Sequence, residues 1–481
     1  LSFKLQRRDD RSDPPRTPAR IRSFARAAPR DRDPLGSTVF FLGRLWDGVL
    51  AGGAVSRVRD SVGLVVAGVC RLGSMNILFL HQNFPAQFRH LATVLAQNPQ
   101  NRVLFGTTRE EGSLPGVQKC LYTISRQPHP QVHHYVRPLE RAVLEGQAVY
   151  RLAQMLQNQG FYPDIVYAHS GWGPGLFMRD LFPNAQYLCF FEWFYHAYGS
   201  DSNFDPEDPL DANTVCRIRV KNAPILLDLY TCHRGLSPTP WQRQQFPPEF
   251  QSKISVCHDG IDTEYFKPKP GASLVITPPN PIAAPAVLDL SHVSEIVTYV
   301  ARGMEPYRGF PNFMKAVALL QQHRPQVHAV VVGEDRVAYG RPLPNGKTFY
   351  QQMLETLSLD LQRIHFVGSL PYNLYLQVLQ ASSVHVYLTY PFVLSWSMLE
   401  AMSTGCVVVG SRTAPVEEVI TDGVNGFLVD FFSPEAIVER IITVLEDADR
   451  CREIRQQARQ TILDRYALHN LLPQHLTWLL S

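Results

Sequence analysis

The sequence predicts an α/β protein built as two doubly wound, Rossmann-like halves facing a cleft. Three observations carry that prediction. Short apolar runs alternate with longer amphipathic ones from Met75 onward, the pattern of a parallel sheet covered by helices. The alternation stops at a Pro-rich stretch and then resumes. The chain has 481 residues, 45% of them hydrophobic, which is too many for one core and apolar enough for two.

In the first half the predicted strands are Ile77–His81, Arg102–Gly106, Ile165–Ala168, Tyr187–Phe191, Gly235–Ser237 and Ile254–Cys257, with helical patterns at Gln87–Gln97 and Leu139–Gln159. From Phe266 to Pro285 the run FKPKPGASLVITPPNPIAAP breaks all periodicity and reads as a linker or an excursion between domains. The second series then predicts strands Ile296–Val300, Val327–Val332, Ile364–Val367, Val384–Leu388, Cys406–Gly410 and Gly426–Val429. Its helices are Pro311–Gln322, Phe349–Leu357, Asn373–Gln380, Ser397–Ser403 and a short one near Val416–Ile420. The final helices, Pro434–Asp447 and Arg450–Leu480, read as unbroken except at Pro473. The expected boundaries are 75–270 for the first domain, 271–290 for the linker, 291–455 for the second domain and 456–481 for a closing helix.

Ahead of Met75 the composition changes. Residues 1–74 hold 14 Lys and Arg against seven Asp, and from Leu1 to Asp33 few large apolar residues interrupt them, so disorder is expected there. The extension is expected to add nothing to function. Its seven Asp argue against a transit peptide. The rest of the chain then carries 32 basic against 36 acidic side chains, and a net acidic body argues against a nucleic-acid groove. Eight cysteines without a C-x-x-C suggest reduced thiols in a cytoplasmic protein. No apolar run reaches eighteen residues. A peripheral membrane contact stays compatible with the sequence, although no strongly basic amphipathic helix marks one.

Polar residues just beyond predicted strand ends are the candidates for chemistry, because open α/β sheets bind ligands there. In Tyr299–Phe310, Arg302 and Arg308 stand six apart in a Gly-flanked loop; they suit a diphosphate as well as they suit two solvated loop arginines. Ser395 or Ser397 can cap the helix that follows, whose free amides attract phosphate, and Glu400 lies one turn inside on an apolar face, where a partner such as a ribose diol would justify it. The strand carrying Phe366 runs into a turn at Gly368, where backbone groups could meet a planar base. In the first half His169 stands at a strand end. Glu192 sits among six aromatic residues in the run from Cys189 to Tyr198, a costly place for a carboxylate unless it is paired or used. A P-loop and a Gly-rich dinucleotide fingerprint are both absent. Asp-x-Asp occurs only at Asp31/Asp33 and Asp447/Asp449, neither a convincing metal site.

Taken together these segments resemble glycosyltransferase family 4, retaining nucleotide-sugar transferases of GT-B fold, over nearly all of 75–481. Arg302 and Arg308 look like the family's Arg and Lys pair on the donor diphosphate, and Glu400 in LEAMSTG like the second Glu of E-x7-E, which holds the donor ribose. His258–Pro268 resembles N-G-V-D-x-x-x-F-x-P, Asp422–Phe427 resembles D-G-x-N-G-x, and His169 is similar in position to an active-site histidine. The resemblance implies a metal-independent, cofactor-free transfer from a UDP-, GDP- or ADP-sugar to a sugar or glycoconjugate acceptor bound near His169 and Glu192. It also implies a last helix that crosses back to the first domain. The chain departs from the pattern at Phe392, where the first Glu of E-x7-E would contact the donor sugar, and at Phe84-Pro85-Ala86, where a Gly pair would stand. The alternatives are a degenerate protein that binds nucleotide or a partner without transfer, and a sugar-nucleotide epimerase of the same fold.

Overall fold

The computed structural model describes residues 74–481; the expectation of disorder over 1–74 lies, apart from Ser74, outside them. Runs such as Val330-Val331-Val332 and Val407-Val408-Val409 are fully buried, because their strands are covered on both faces. In the first half β1 (Asn76–Leu80), β2 (Arg102–Thr107), β3 (Val117–Leu121), β4 (Ile165–His169), β5 (Gln186–Phe190), β6 (Arg234–Ser237) and β7 (Ile254–Val256) form a parallel sheet ordered β3-β2-β1-β4-β5-β6-β7. The hairpin of β8 (Val275–Ile276) and β9 (Leu288–Asp289) follows. In the second half β10 (Ile296–Gly303), β11 (His328–Glu334), β12 (Ile364–Gly368), β13 (Val384–Tyr387), β14 (Val407–Ser411) and β15 (Phe427–Val429) form another parallel sheet, ordered β12-β11-β10-β13-β14-β15. Both orders reverse beside the first strand of the half, between β1 and β4 and between β10 and β13. These are the switch points at which doubly wound sheets open a crevice.

The helices that position the site are α1 (Arg89–Leu95), α2 (Arg137–Asn158), α3 (Ala223–Thr231), α4 (Phe310–His323), α5 (Tyr372–Gln380), α6 (Trp396–Ser403), α7 (Ala448–Arg465) and α8 (Leu468–Leu480). Leu468, Leu472, Leu476 and Leu479 of α8 pack with Ile77, Phe79 and Tyr167, so the last helix lies on the first half. No helix among the described residues is long and apolar enough to cross a membrane.

The structure differs from the sequence reading in three places. The expected break at Pro473 falls instead at Tyr466-Ala467, where Ile261 N–H donates to Tyr466 O (2.8 Å) and Leu468 N–H to Ile261 O (2.8 Å). Pro473 stays inside α8 as its sixth residue, at the cost of the one helical bond that its missing N–H would make. The segment 271–290 is not a free linker, because Leu274, Ile276 and Leu288 are buried in the second half's core and Ala283 pairs with Phe366. Strand β3 went unpredicted: it lies at the sheet edge with one buried residue, so its sequence lacks an apolar run.

Candidate active site

The loop after β10 is shaped by local chemistry. Gly309 turns with φ of +67°, where a Cβ would come within 2.4 Å of Leu388, and the turn delivers Arg308 inward before α4 begins. Arg308 donates from Nη1 to Tyr387 Oη (3.1 Å) and Thr389 Oγ1 (2.7 Å), and from Nη2 to Val393 O (3.2 Å). The Tyr387 hydroxyl also accepts from Ser395 N–H (2.9 Å), which ties the guanidinium to the N-terminus of α6. Burial pulls Arg302 down to about 10, still well above neutrality. Arg302, Arg308, Ser395 and Glu400 line one cavity of about 170 Å³. Glu400 is 6% exposed; it accepts from Tyr372 Oη (3.2 Å) and Tyr375 Oη (2.9 Å) of α5, and burial pushes its carboxyl up to about 7.

Across the cavity, the first half supplies Glu192. Its Oε1 accepts from Gln87 Nε2 (3.1 Å), and its Oε2 lies 3.5 Å from His169 Nε2. His169 Nδ1 is 3.0 Å from Ser170 O, so that nitrogen donates and Nε2 faces Glu192. Buried His81, kept neutral by desolvation, lies edge-on to His169 with ring centroids 4.6 Å apart. His169 is therefore behind Glu192 and does not itself line the cavity.

Phe366 and Gly368, expected to meet a base, do not line the cavity. Phe366 exchanges backbone bonds with Ala283 (3.1 and 2.9 Å), and a Cβ on Gly368 would come within 2.2 Å of Asn280 O, so segment 280–283 already covers that backbone edge. Leu370, two residues on, reaches the cavity instead. Phe392 packs against Trp193, Tyr307 and Tyr339 at centroid distances of 4.9, 5.7 and 5.4 Å.

Several site residues escaped the sequence reading. The Glu305 carboxylate accepts from the backbone N–H groups of Ala338, Tyr339 and Gly340 (2.7–3.0 Å), fixing the loop that lays the Tyr339 ring 5.2 Å from the Arg308 guanidinium. Asp228 of α3 accepts from Ser170 Oγ (2.7 Å), Tyr187 Oη (2.8 Å) and Gly171 N–H (3.4 Å), anchoring the turn after His169. A carboxylate within the apolar run Ile225–Tyr230 was the available signal for Asp228. Asp259 spans the cleft by accepting from Trp396 Nε1 (3.0 Å), and burial pushes it up to about 8.

Comparison with known proteins agrees with this architecture. Residues 99–266 match the glycosyl transferase family 4 group and residues 285–461 match the glycosyl transferases group 1. Among curated relatives, the D-inositol 3-phosphate glycosyltransferase of Corynebacterium glutamicum (strain R) is 25% identical over 40% of this chain and 44% of its own length. An uncharacterized glycosyltransferase of Methanocaldococcus jannaschii is 30% identical over 29% of this chain and 34% of its own length. The chain thus matches less than half the length of these relatives. Anabaena HepE, crystallised with UDP-glucose, superposes over 85% of this chain and 99% of its own with a TM-score of 0.58 and 18% identity. Sucrose-phosphate synthase from Thermosynechococcus elongatus superposes over 84% and 98% with a TM-score of 0.60 and 16% identity. The chain has the two-halved fold of these proteins and belongs to the group 1 glycosyl transferases.

Proposed function

We propose that the chain transfers a sugar from a nucleoside-diphosphate sugar held by the second half to an acceptor held by the first. The observation that carries this reading is convergence: two buried guanidinium groups, the N-terminus of α6 and the Glu400 carboxyl face one cavity at the switch point of the second sheet. Negative charge grows on the diphosphate as the sugar leaves, and fixed positive groups in a water-poor site stabilise that charge more than they stabilise the bound donor. Arg302, Arg308 and the α6 amides supply this stabilisation, with Ser395 ordering the helix start and Glu400 holding the ribose diol. In this reading no metal or cofactor is required, and configuration at the anomeric carbon is retained. Glu192, steadied by His169 and Gln87, faces the acceptor. UDP is the first nucleotide to test, because HepE is crystallised with UDP-glucose. All seven described cysteines are free thiols, consistent with a cytoplasmic site of action.

Binding of UDP to wild type and Arg308→Ala tests the donor site. The variant is expected to bind UDP at least about tenfold more weakly, the loss of one charge-assisted contact; equal affinity would overturn the assignment. A second reading, nucleotide binding without transfer, draws on Phe392, whose ring packs into an aromatic cluster where the resemblance places a donor-contacting carboxylate. UDP binding with no turnover of any nucleotide sugar would select it.

A further inference from the structure

The two walls of the cavity differ in charge: both guanidinium groups stand on the second half's wall, alongside the Glu400 carboxyl. The second half presents Arg302 and Arg308, whereas the first half presents two carboxyl groups, Glu192 and Asp259, beside two amides, Gln87 and Gln242, with no lysine or arginine among its lining residues. Gln87 and Gln242 are tied to Glu192, one through its carboxylate and the other through its backbone carbonyl (2.8 Å). Asp259 is only half satisfied. One of its oxygens accepts from Trp396 Nε1, while the other, Oδ1, is buried with no hydrogen-bond partner among the described residues. Asp259 also lies against a smaller adjoining cavity, where Arg89 of α1 stands with Asp262. A buried carboxyl oxygen left without a donor is destabilising, and a ligand that brings one relieves the cost.

We propose that Asp259, with Glu192 beside it, selects an uncharged, hydroxyl-bearing acceptor, such as a sugar or polyol, and that Oδ1 pairs with one of its hydroxyls. A hydroxyl both donates and accepts, so it suits Asp259 in either protonation state. A phosphate or carboxylate in the same place would meet the Glu192 carboxylate in a low-dielectric cleft whose first-half wall offers no lysine or arginine to balance it. This preference would set the chain apart from the relatives named for an inositol phosphate. The inference rests on the reading of this cavity as a nucleotide-sugar site, and its test separates the two.

The full chain saturated with UDP is titrated with myo-inositol and glucose, and with inositol 3-phosphate and glucose 6-phosphate, by saturation-transfer NMR. At least one neutral compound is expected to bind, its phosphorylated counterpart at least tenfold more weakly, and Asp259→Asn is expected to weaken the neutral ligand about tenfold. Preference for a phosphorylated compound, absence of binding by both neutral ones, or unchanged binding in Asp259→Asn would overturn the proposal. The neutral-against-phosphorylated comparison in wild type decides it even where the variant does not fold. Failure of UDP itself to bind would instead bring down the donor site on which the inference stands.

Discussion

Glu145 in α2 is 1% exposed and accepts from Tyr122 Oη (2.8 Å), and burial pushes its carboxyl from 4.5 up to about 7. A carboxyl whose folded value is raised stabilises the fold fully below its unfolded value and loses that contribution as pH climbs through the folded one. The window is therefore about pH 4.5 to 7, and the full contribution is about 3 kcal/mol. Wild type is expected to lose stability relative to Glu145→Gln across that window, read as the difference in denaturant midpoints at pH 5 and pH 8; a constant difference would refute the assignment. The comparison with a variant is needed because buried His258 and His475, both held near 4 by desolvation, act in the opposite direction as pH falls. Single residues were legible where charge sat in an apolar pattern, as at Glu192 and Glu400. Tyr387 and Tyr372 gave no such signal, because a tyrosine in an apolar run reads as core until its hydroxyl is seen to hold a charged partner.

At the scale of elements, the Arg302–Arg308 loop depends on a second loop that has no regular structure of its own. Glu305→Ala removes the acceptor for three backbone N–H groups at 338–340 and is expected to destabilise the protein by about 2–3 kcal/mol. It should also speed hydrogen exchange at those amides and weaken UDP binding through Tyr339 and Arg308. Unchanged exchange would show that the carboxylate does not hold the loop. Helix α8 is anchored by apolar contact: Leu476, 1% exposed on the first half, should cost about 3 kcal/mol on truncation to Ala, read by urea unfolding. Strands buried on both faces declared themselves in sequence, which is why the strands of both sheet cores were legible to within three residues at each end. The end of α7 at Tyr466-Ala467 was not, because it is set by pairing with Ile261, some two hundred residues away, and no local breaker marks it.

Across the whole molecule, the halves are joined by contacts from a first-half loop. Asp201 accepts from Tyr307 Oη (2.8 Å) and Asp205 from Tyr390 Oη (2.6 Å), while Phe204 packs on Tyr390 and Phe432 at 5.0 and 5.1 Å. Trp241 Nε1 donates across the cleft to Phe392 O (3.1 Å). Phe204→Ala is expected to favour an open cleft, seen as a larger radius of gyration by small-angle scattering that UDP reverses; identical scattering would show that the loop does not govern closure. Alternating elements and the Pro-rich interruption made the two-halved plan legible, but the loop was not, since its acidic sequence reads as solvated surface. The central claim is that this cavity binds a nucleoside-diphosphate sugar and releases the diphosphate. Its most direct test is release of UDP, GDP or ADP from a panel of nucleotide sugars by the full chain and by Arg308→Ala, with and without EDTA. Release from one donor that survives EDTA and falls at least about 100-fold in the variant is the predicted result; absence of release together with absence of saturable nucleotide binding would contradict it.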